Sequence, residues 1–167
     1  MGSSAVVNSR FISWPNYKKI FQLSHLSKIN NNNIETIYIK KETPMNKILK
    51  LPEIIFKIYK YLKNSKKKTL VIEGASWIFY SFTTIFFLKL VVPDCKIIYI
   101  SHSVESEIRK KYSNKLIYYL TKFLENLVFK ISNYSTTVSF KEKNKILKLY
   151  NKNTKIYPNA ININEKK

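Results

Sequence analysis

The ten residues KIIYISHSVE, Lys96 to Glu105, decide how the chain is read. Ile97, Ile98, Tyr99 and Ile100 are apolar without alternation, so both faces of the segment favour burial. Ser101-His102-Ser103 ends the run in small polar residues, and a helical pattern follows from Val104 to Lys111. A doubly apolar run that turns a polar corner into a helix is the pattern of a parallel strand inside an α/β sheet.

The pattern repeats outward. Upstream, Thr69-Leu70-Val71-Ile72 reads as a buried strand, Glu73-Gly74-Ala75-Ser76 as its closing loop, and Trp77 to Val92 as a helix stopped by Pro93. That apolar helix contains Ser81, Thr83, Thr84 and Lys89. It falls short of the roughly 20 mostly apolar residues a membrane span needs, so a core helix is expected. Downstream, a helix is expected over Lys115 to Ile131, with Leu116, Leu120, Phe123, Leu124, Leu127 and Ile131 on one core-facing side. A membrane interface, with Tyr118, Tyr119 and Lys122 at its border, is the other reading of that helix. Tyr134 to Val138 reads as a strand, and Ser139 with Glu142 has capping-box spacing for a helix to Tyr150. Lys155-Ile156-Tyr157 reads as a last short strand before Pro158.

Toward the N-terminus, Phe11 to Lys28 suits a helix with Pro15 near its start, Asn30 to Asn33 a loop, and Ile34 to Ile39 a strand. Thr43-Pro44 reads as a cap followed by proline at the first helical position. Pro52 is expected to break that helix near Leu51, with Glu53 to Lys63 resuming it and Lys66-Lys67-Lys68 forming a basic turn. The order α-β-α-β-α-β-α-α-β-α-β predicts an α/β fold, a parallel sheet with helices on both faces. Ligands bind such sheets at the carboxyl ends of the strands. Here those ends are Glu73-Gly74, Ser101-His102-Ser103 and Ser139.

Composition narrows the function classes. The chain has 167 residues, of which 45% are hydrophobic, enough for one buried core and against wholesale disorder. One cysteine, Cys95, excludes an internal disulfide framework, and no CxxC or His/Cys cluster points to a structural zinc site. A reducing, cytoplasmic compartment is expected. Met1 to Asn8 has no basic stretch followed by an apolar core, so it does not read as a secretory signal. The formal net charge is +20, yet only Arg10 and Arg109 among the 30 basic residues are arginine. The charge has two readings: a lysine, asparagine and isoleucine bias written by an AT-rich coding sequence, or attraction to a polyanion. Scarce arginine speaks against nucleic acid, whose bases and phosphates favour its planar fork. No P-loop, GxGxxG, GxSxG or HExxH motif occurs.

His102 is the sharpest candidate. It could donate to a phosphate or sugar hydroxyl, or polarise a leaving group; the plainer reading is a histidine that closes a strand by bonding backbone. Ser103 is expected to cap the next helix, with Glu105 in its first turn against the dipole. Glu73, before Gly74, could hold a substrate hydroxyl or act as a base, or simply accept adjacent amides. Gly2-Ser3-Ser4 is a small-residue loop that could contact an anion before the first helix. His25 reads as structural or solvated.

Four segments carry a family resemblance. Ile97 to Glu105 resembles a strand followed by a His-Asn-Val-Glu loop, and Phe123 to Lys130 a helix bearing a glutamate. Tyr134-Ser135-Thr136-Thr137-Val138-Ser139 is similar to a Thr-x-Val-Ser strand, and Ile156-Tyr157-Pro158-Asn159-Ala160-Ile161 to a Pro-Asn-Gly-Val/Ile crossing. In this order and spacing they resemble the N-terminal, acceptor-side, Rossmann-like domain of GT-B glycosyltransferases of the family 4 type. The resemblance runs from about Thr69 to Ile163. Ser103 stands where asparagine is frequent and Ala160 where glycine is usual, which makes a positive φ less comfortable there.

The resemblance implies a retaining, nucleotide-sugar-dependent hexosyltransferase of cell-surface polysaccharide or glycolipid assembly. It implies no metal and no cofactor, with the nucleotide-sugar as substrate and a glycan or lipid-linked acceptor. His102 would be catalytic, near the donor sugar, with Gly2, Ser3 and Ser4 near acceptor or donor phosphate, Glu73 and Glu105 on the acceptor side, and Gly74 and Ser103 also binding substrate. Residues 1–157 would form this domain without its first strand, and 158–167 would begin the interdomain linker. The second domain, or a partner subunit supplying it, lies outside the sequence, and the chain alone is expected to be inactive, as a gene fragment or truncated frame would be. The alternative is a non-catalytic basic α/β module that binds an anionic membrane, at the inner face of the plasma membrane, or a partner catalytic subunit.

Overall fold

A computed structural model describes residues 19–24, 34–39, 41, 43–74 and 77–157. In chain order the elements are β1 (Ile20–Ser24), β2 (Ile34–Tyr38), α1 (Pro44–Lys63), β3 (Thr69–Gly74), α2 (Ile78–Val91) and β4 (Lys96–Ser101). They continue with α3 (Glu105–Tyr112), α4 (Lys115–Ile131), β5 (Tyr134–Thr137), α5 (Phe140–Tyr150) and β6 (Lys155–Ile156). β3, β4, β5 and β6 form a four-stranded parallel sheet in sequential order, each crossover carrying one or two helices. The fold is α/β and Rossmann-like, as the doubly apolar strands predict.

β4 is the keel. Ile97 and Tyr99 are buried on one face and Ile100 on the other. The core assembles around Ile97 and Tyr99 from Ile85 and Leu88 of α2, Leu124, Val128 and Phe129 of α4, and Ile146 of α5. Tyr99 meets Phe129 edge-on, with ring centroids 5.6 Å apart. Asn133 fastens the strand's entry: its Oδ1 accepts from the Ile97 N–H at 2.9 Å and from Lys89 Nζ at 2.9 Å.

Three expectations are corrected. The helix expected over Phe11 to Lys28 is, in its described part, the strand β1. It pairs in parallel with β2, Ile20 opposite Ile34 and Ser24 opposite Tyr38. Ile20, Phe21 and Leu23 fit either periodicity, and β-branched and aromatic side chains settle well in a strand that has a partner. The rest of that segment lies outside the described residues, as do Asn30 to Asn33, His25 and Pro158 onward. This small sheet leans on α1, where Phe21 and Tyr61 meet edge-on and Lys57 pairs with Glu35 at 3.1 Å.

Pro52 does not break α1. The helix runs unbroken through it, capped by Thr43, whose side chain accepts from the Asn46 N–H at 3.3 Å. Proline forfeits one backbone bond there, and burial of Leu51, Ile58 and Leu62 outweighs that loss.

The third correction concerns α4. Leu116, Leu120 and Phe123 are exposed, and the buried stripe is Thr121, Leu124, Glu125, Val128 and Phe129. Of the expected face, Leu124 is buried and Ile131 packs on the core; the buried stripe is displaced by one position and includes Glu125, which accepts two backbone amides there.

Candidate functional site

Parallel register sets Gly74 opposite Ser101, so β3 and β4 end at one edge of the sheet. Glu73 and His102 meet there, 29 residues apart in sequence, with Nε2 of His102 2.5 Å from Oε2 of Glu73. Both side chains are largely sheltered, at 16% and 19% exposure. With Glu73 as the carboxylate acceptor, Nε2 carries the hydrogen and Nδ1 is left to accept. Nδ1 has no hydrogen-bond partner among the described residues.

The pair opens on a cleft of about 370 Å³ that Gly74, Trp77, His102, Ser103, Glu105, Ile108 and Arg109 line. Gly74 is there for space. A Cβ on it would run into the Tyr99 phenol, overlapping its oxygen and standing 2.7 Å from Cζ. Trp77, stacked on Phe79 with centroids 5.2 Å apart, walls the other side, and its indole N–H is buried without an acceptor among the described residues.

Carboxylates brought from a distance hold the loop that carries His102. Glu125 accepts from the backbone N–H of Glu105 at 2.8 Å and of Ser106 at 3.2 Å, and from Tyr150 Oη at 2.5 Å. Glu142 accepts from the Val104 N–H at 2.8 Å and from Lys145 Nζ at 2.7 Å. Its capping-box position is real in spacing, with Ser139 Oγ accepting from the Glu142 N–H at 3.3 Å, but its carboxylate serves Val104. Burial holds the Glu125 carboxyl above the usual carboxylate range, against the pull of Tyr150 and the two amides. Burial and the facing Glu125 push the Tyr150 phenol upward as well.

Ser103 does not cap α3, whereas Glu105 stands in its first turn as expected. Val104 occupies the cap position of α3 without a side-chain bond, and the Ser103 carbonyl accepts from Ser101 Oγ at 3.0 Å. Glu105 reaches across to α2, where Oε2 accepts from the Ile78 N–H at 2.5 Å. Its other oxygen accepts from Arg109 Nε at 3.1 Å and Nη2 at 2.8 Å. The donors around the loop are therefore already engaged: the amides of Ile78, Val104, Glu105 and Ser106 all point into glutamates. Among the described residues, the amides that open α2 and α3 here are met by protein carboxylates in the place an anion would take. The cleft instead presents a carboxylate–imidazole pair, a neutralised guanidinium and an indole, a set suited to a neutral, hydroxyl-rich ligand.

Of the residues singled out from sequence, Gly74, His102, Ser103 and Glu105 line this cleft and Glu73 joins it through His102, while Gly2, Ser3 and Ser4 lie outside the described residues. Trp77, Ile108 and Arg109 complete it without having been foreseen. Arg109 carried a signal, being one of two arginines in a lysine-rich chain; Trp77 was hidden at the head of a core helix. Among the described residues no group of three or more His, Cys, Asp or Glu is placed to hold a metal ion, and no helix is long and apolar enough to cross a membrane. No protein-family model matches the chain, and no curated protein matches it.

Proposed function

We propose that the chain is the acceptor-side domain of a nucleotide-sugar-dependent glycosyltransferase, acting on a glycan or lipid-linked acceptor in cell-surface polysaccharide or glycolipid assembly. The observation that carries this reading is the Glu73–His102 pair at the carboxyl ends of adjacent parallel strands, beside Trp77. A sugar offers hydroxyls that donate to a carboxylate or to a free imidazole nitrogen, and C–H faces that settle on an indole.

In this reading Glu73 holds Nε2–H and so fixes the imidazole. Nδ1 then accepts the hydrogen of the attacking hydroxyl, orienting its lone pair toward the donor's anomeric carbon. Arg109, held in a fork by Glu105, stays turned to the cleft without drawing phosphate away from a donor site. The donor's diphosphate belongs to a second domain, or to a partner subunit supplying it, and retention of anomeric configuration is what the family resemblance implies. No metal or other cofactor enters this reading.

Saturation-transfer NMR against a panel of glycan acceptors and nucleotide-sugars tests it. A sugar-bearing compound is expected to bind the chain and to lose that binding in Glu73→Ala and His102→Ala. Absence of binding across the panel, or binding indifferent to both substitutions, would overturn the proposal.

A further inference from the structure

We infer that the outer face of α2 pairs the chain with a second copy of itself. Phe86, Phe87, Leu90 and Val91 share one side of the helix's last two turns, and they are 44%, 49%, 63% and 53% exposed. The rings are already ordered: Phe86 stacks on Phe82 with centroids 5.6 Å apart and meets Phe87 edge-on at 5.9 Å. Side chains held in place lose little freedom on association, which favours it.

Charge and area identify the partner. From Ile78 to Val92 the only charged residue is Lys89, in a chain of which 24% is charged. Its ammonium is engaged, donating to the Cys95 carbonyl at 2.8 Å and to Asn133 Oδ1 at 2.9 Å. Lipid headgroups would find no free cation on this helix, and a charged protein partner would find nothing there to pair with. A second copy needs neither. The like charges of two copies stand elsewhere on their surfaces, where salt screens them beyond about 8 Å. The four side chains expose roughly 400 Å² of apolar surface. A standard interface buries about 800 Å² on each partner, a little over half of it apolar, so the patch matches the apolar share of one.

The spacing suits a two-fold axis. Phe86 with Leu90, and Phe87 with Val91, form two parallel ridges of i, i+4 neighbours. Such ridges interdigitate with their own copies at a crossing of about 50°. Trp77 precedes the helix, about 13 Å along its axis from Phe86, so the pairing leaves the Glu73–His102 cleft open. The inference is independent of the sugar-transfer reading.

Sedimentation equilibrium of the full chain across about 1 to 100 μM tests it. A monomer–dimer equilibrium is expected, and it should tighten as salt rises, because screening removes repulsion between the copies. Phe87→Ser with Leu90→Ser is expected to raise the dimer dissociation constant at least about a hundredfold. Leu90→Lys, at an exposed position that the fold tolerates, brings a cation into the contact from each copy and is expected to act in the same direction. Leu116→Ser with Leu120→Ser, exposed apolar positions on α4, is expected to leave the dimer intact. A monomer at every concentration, whether or not it floats with phosphatidylcholine vesicles, would overturn the inference. So would a dimer indifferent to both α2 variants, one that salt dissolves, or one that the α4 variant dissolves equally.

Discussion

The carboxylate of Glu125 accepts the backbone N–H of Glu105 at 2.8 Å, so a residue in the middle of α4 caps the start of α3. The same carboxylate takes the Ser106 N–H and the Tyr150 hydroxyl, and it is fully buried. The loop that presents His102 is thus set from behind. Glu125→Ala would strand two amides in the interior and leave the Tyr150 hydroxyl only Ser106 Oγ, 2.7 Å away, as partner, which costs about 3 kcal/mol. Chemical denaturation should show that loss, and a drop within about 0.5 kcal/mol would mean that the three donors find other partners.

Glu125 also makes stability pH-dependent, with a definite sign. Its folded pKa is raised above the ordinary carboxylate value, first by burial. The folded state therefore holds the proton that the unfolded chain has already released. Its contribution is intact below the unfolded value, and is lost as pH rises from there through the raised folded value. Glu125→Gln, which cannot titrate, removes this loss. Melting curves at a series of pH values should show the variant gaining on the parent as pH rises from about 4 toward 7. A constant gap between the two would contradict the assignment.

Gly74 is held to glycine by Tyr99. A Cβ there would overlap the phenol oxygen and press on Cζ and Cε2, and the ring is locked between the strand and Phe129. Gly74→Ala should cost about 1–3 kcal/mol, as overpacking does. Tyr99→Phe removes the nearest of those atoms. In the double variant the two effects should fall short of their sum, and strict additivity would mean that the clash is relieved elsewhere.

Along α4, the structure separates leucines that look alike in sequence. Leu124→Ala should cost about 2–4 kcal/mol, since its side chain is buried in the core. Leu116→Ala should change stability by about 0.5 kcal/mol or less. Equal losses would restore the hydrophobic-stripe reading of this helix.

That helix shows where sequence reading stops. Strands β3, β4 and β5 and the helices between them were legible, because a doubly apolar run followed by a polar corner has few other solutions. The rotation of α4 was not. Counting apolar residues places Leu116, Leu120 and Phe123 inside and is silent on Glu125, which lies buried against three distant donors. β1 was missed for a related reason, since Ile20, Phe21 and Leu23 show no period that separates strand from helix until β2 is there to pair with them. At the site, Glu73 and His102 were each visible at a strand end, but their contact depends on the register of β3 against β4. Nor could spacing reveal that Glu142 would bypass its own helix for the Val104 amide, or that Glu105 would cap α2 and steady Arg109.

The central claim is that the Glu73–His102 cleft receives a sugar hydroxyl. The chain has two histidines, His25 and His102, so a carbon-detected titration of their ring Cε1–H signals contains its own control. Addition of the glycan acceptor selected by saturation transfer is predicted to shift the His102 signal saturably while leaving that of His25 in place, with the response abolished in Glu73→Ala. A His102 signal that stays still at saturating acceptor, or that moves no more than that of His25, would contradict the account.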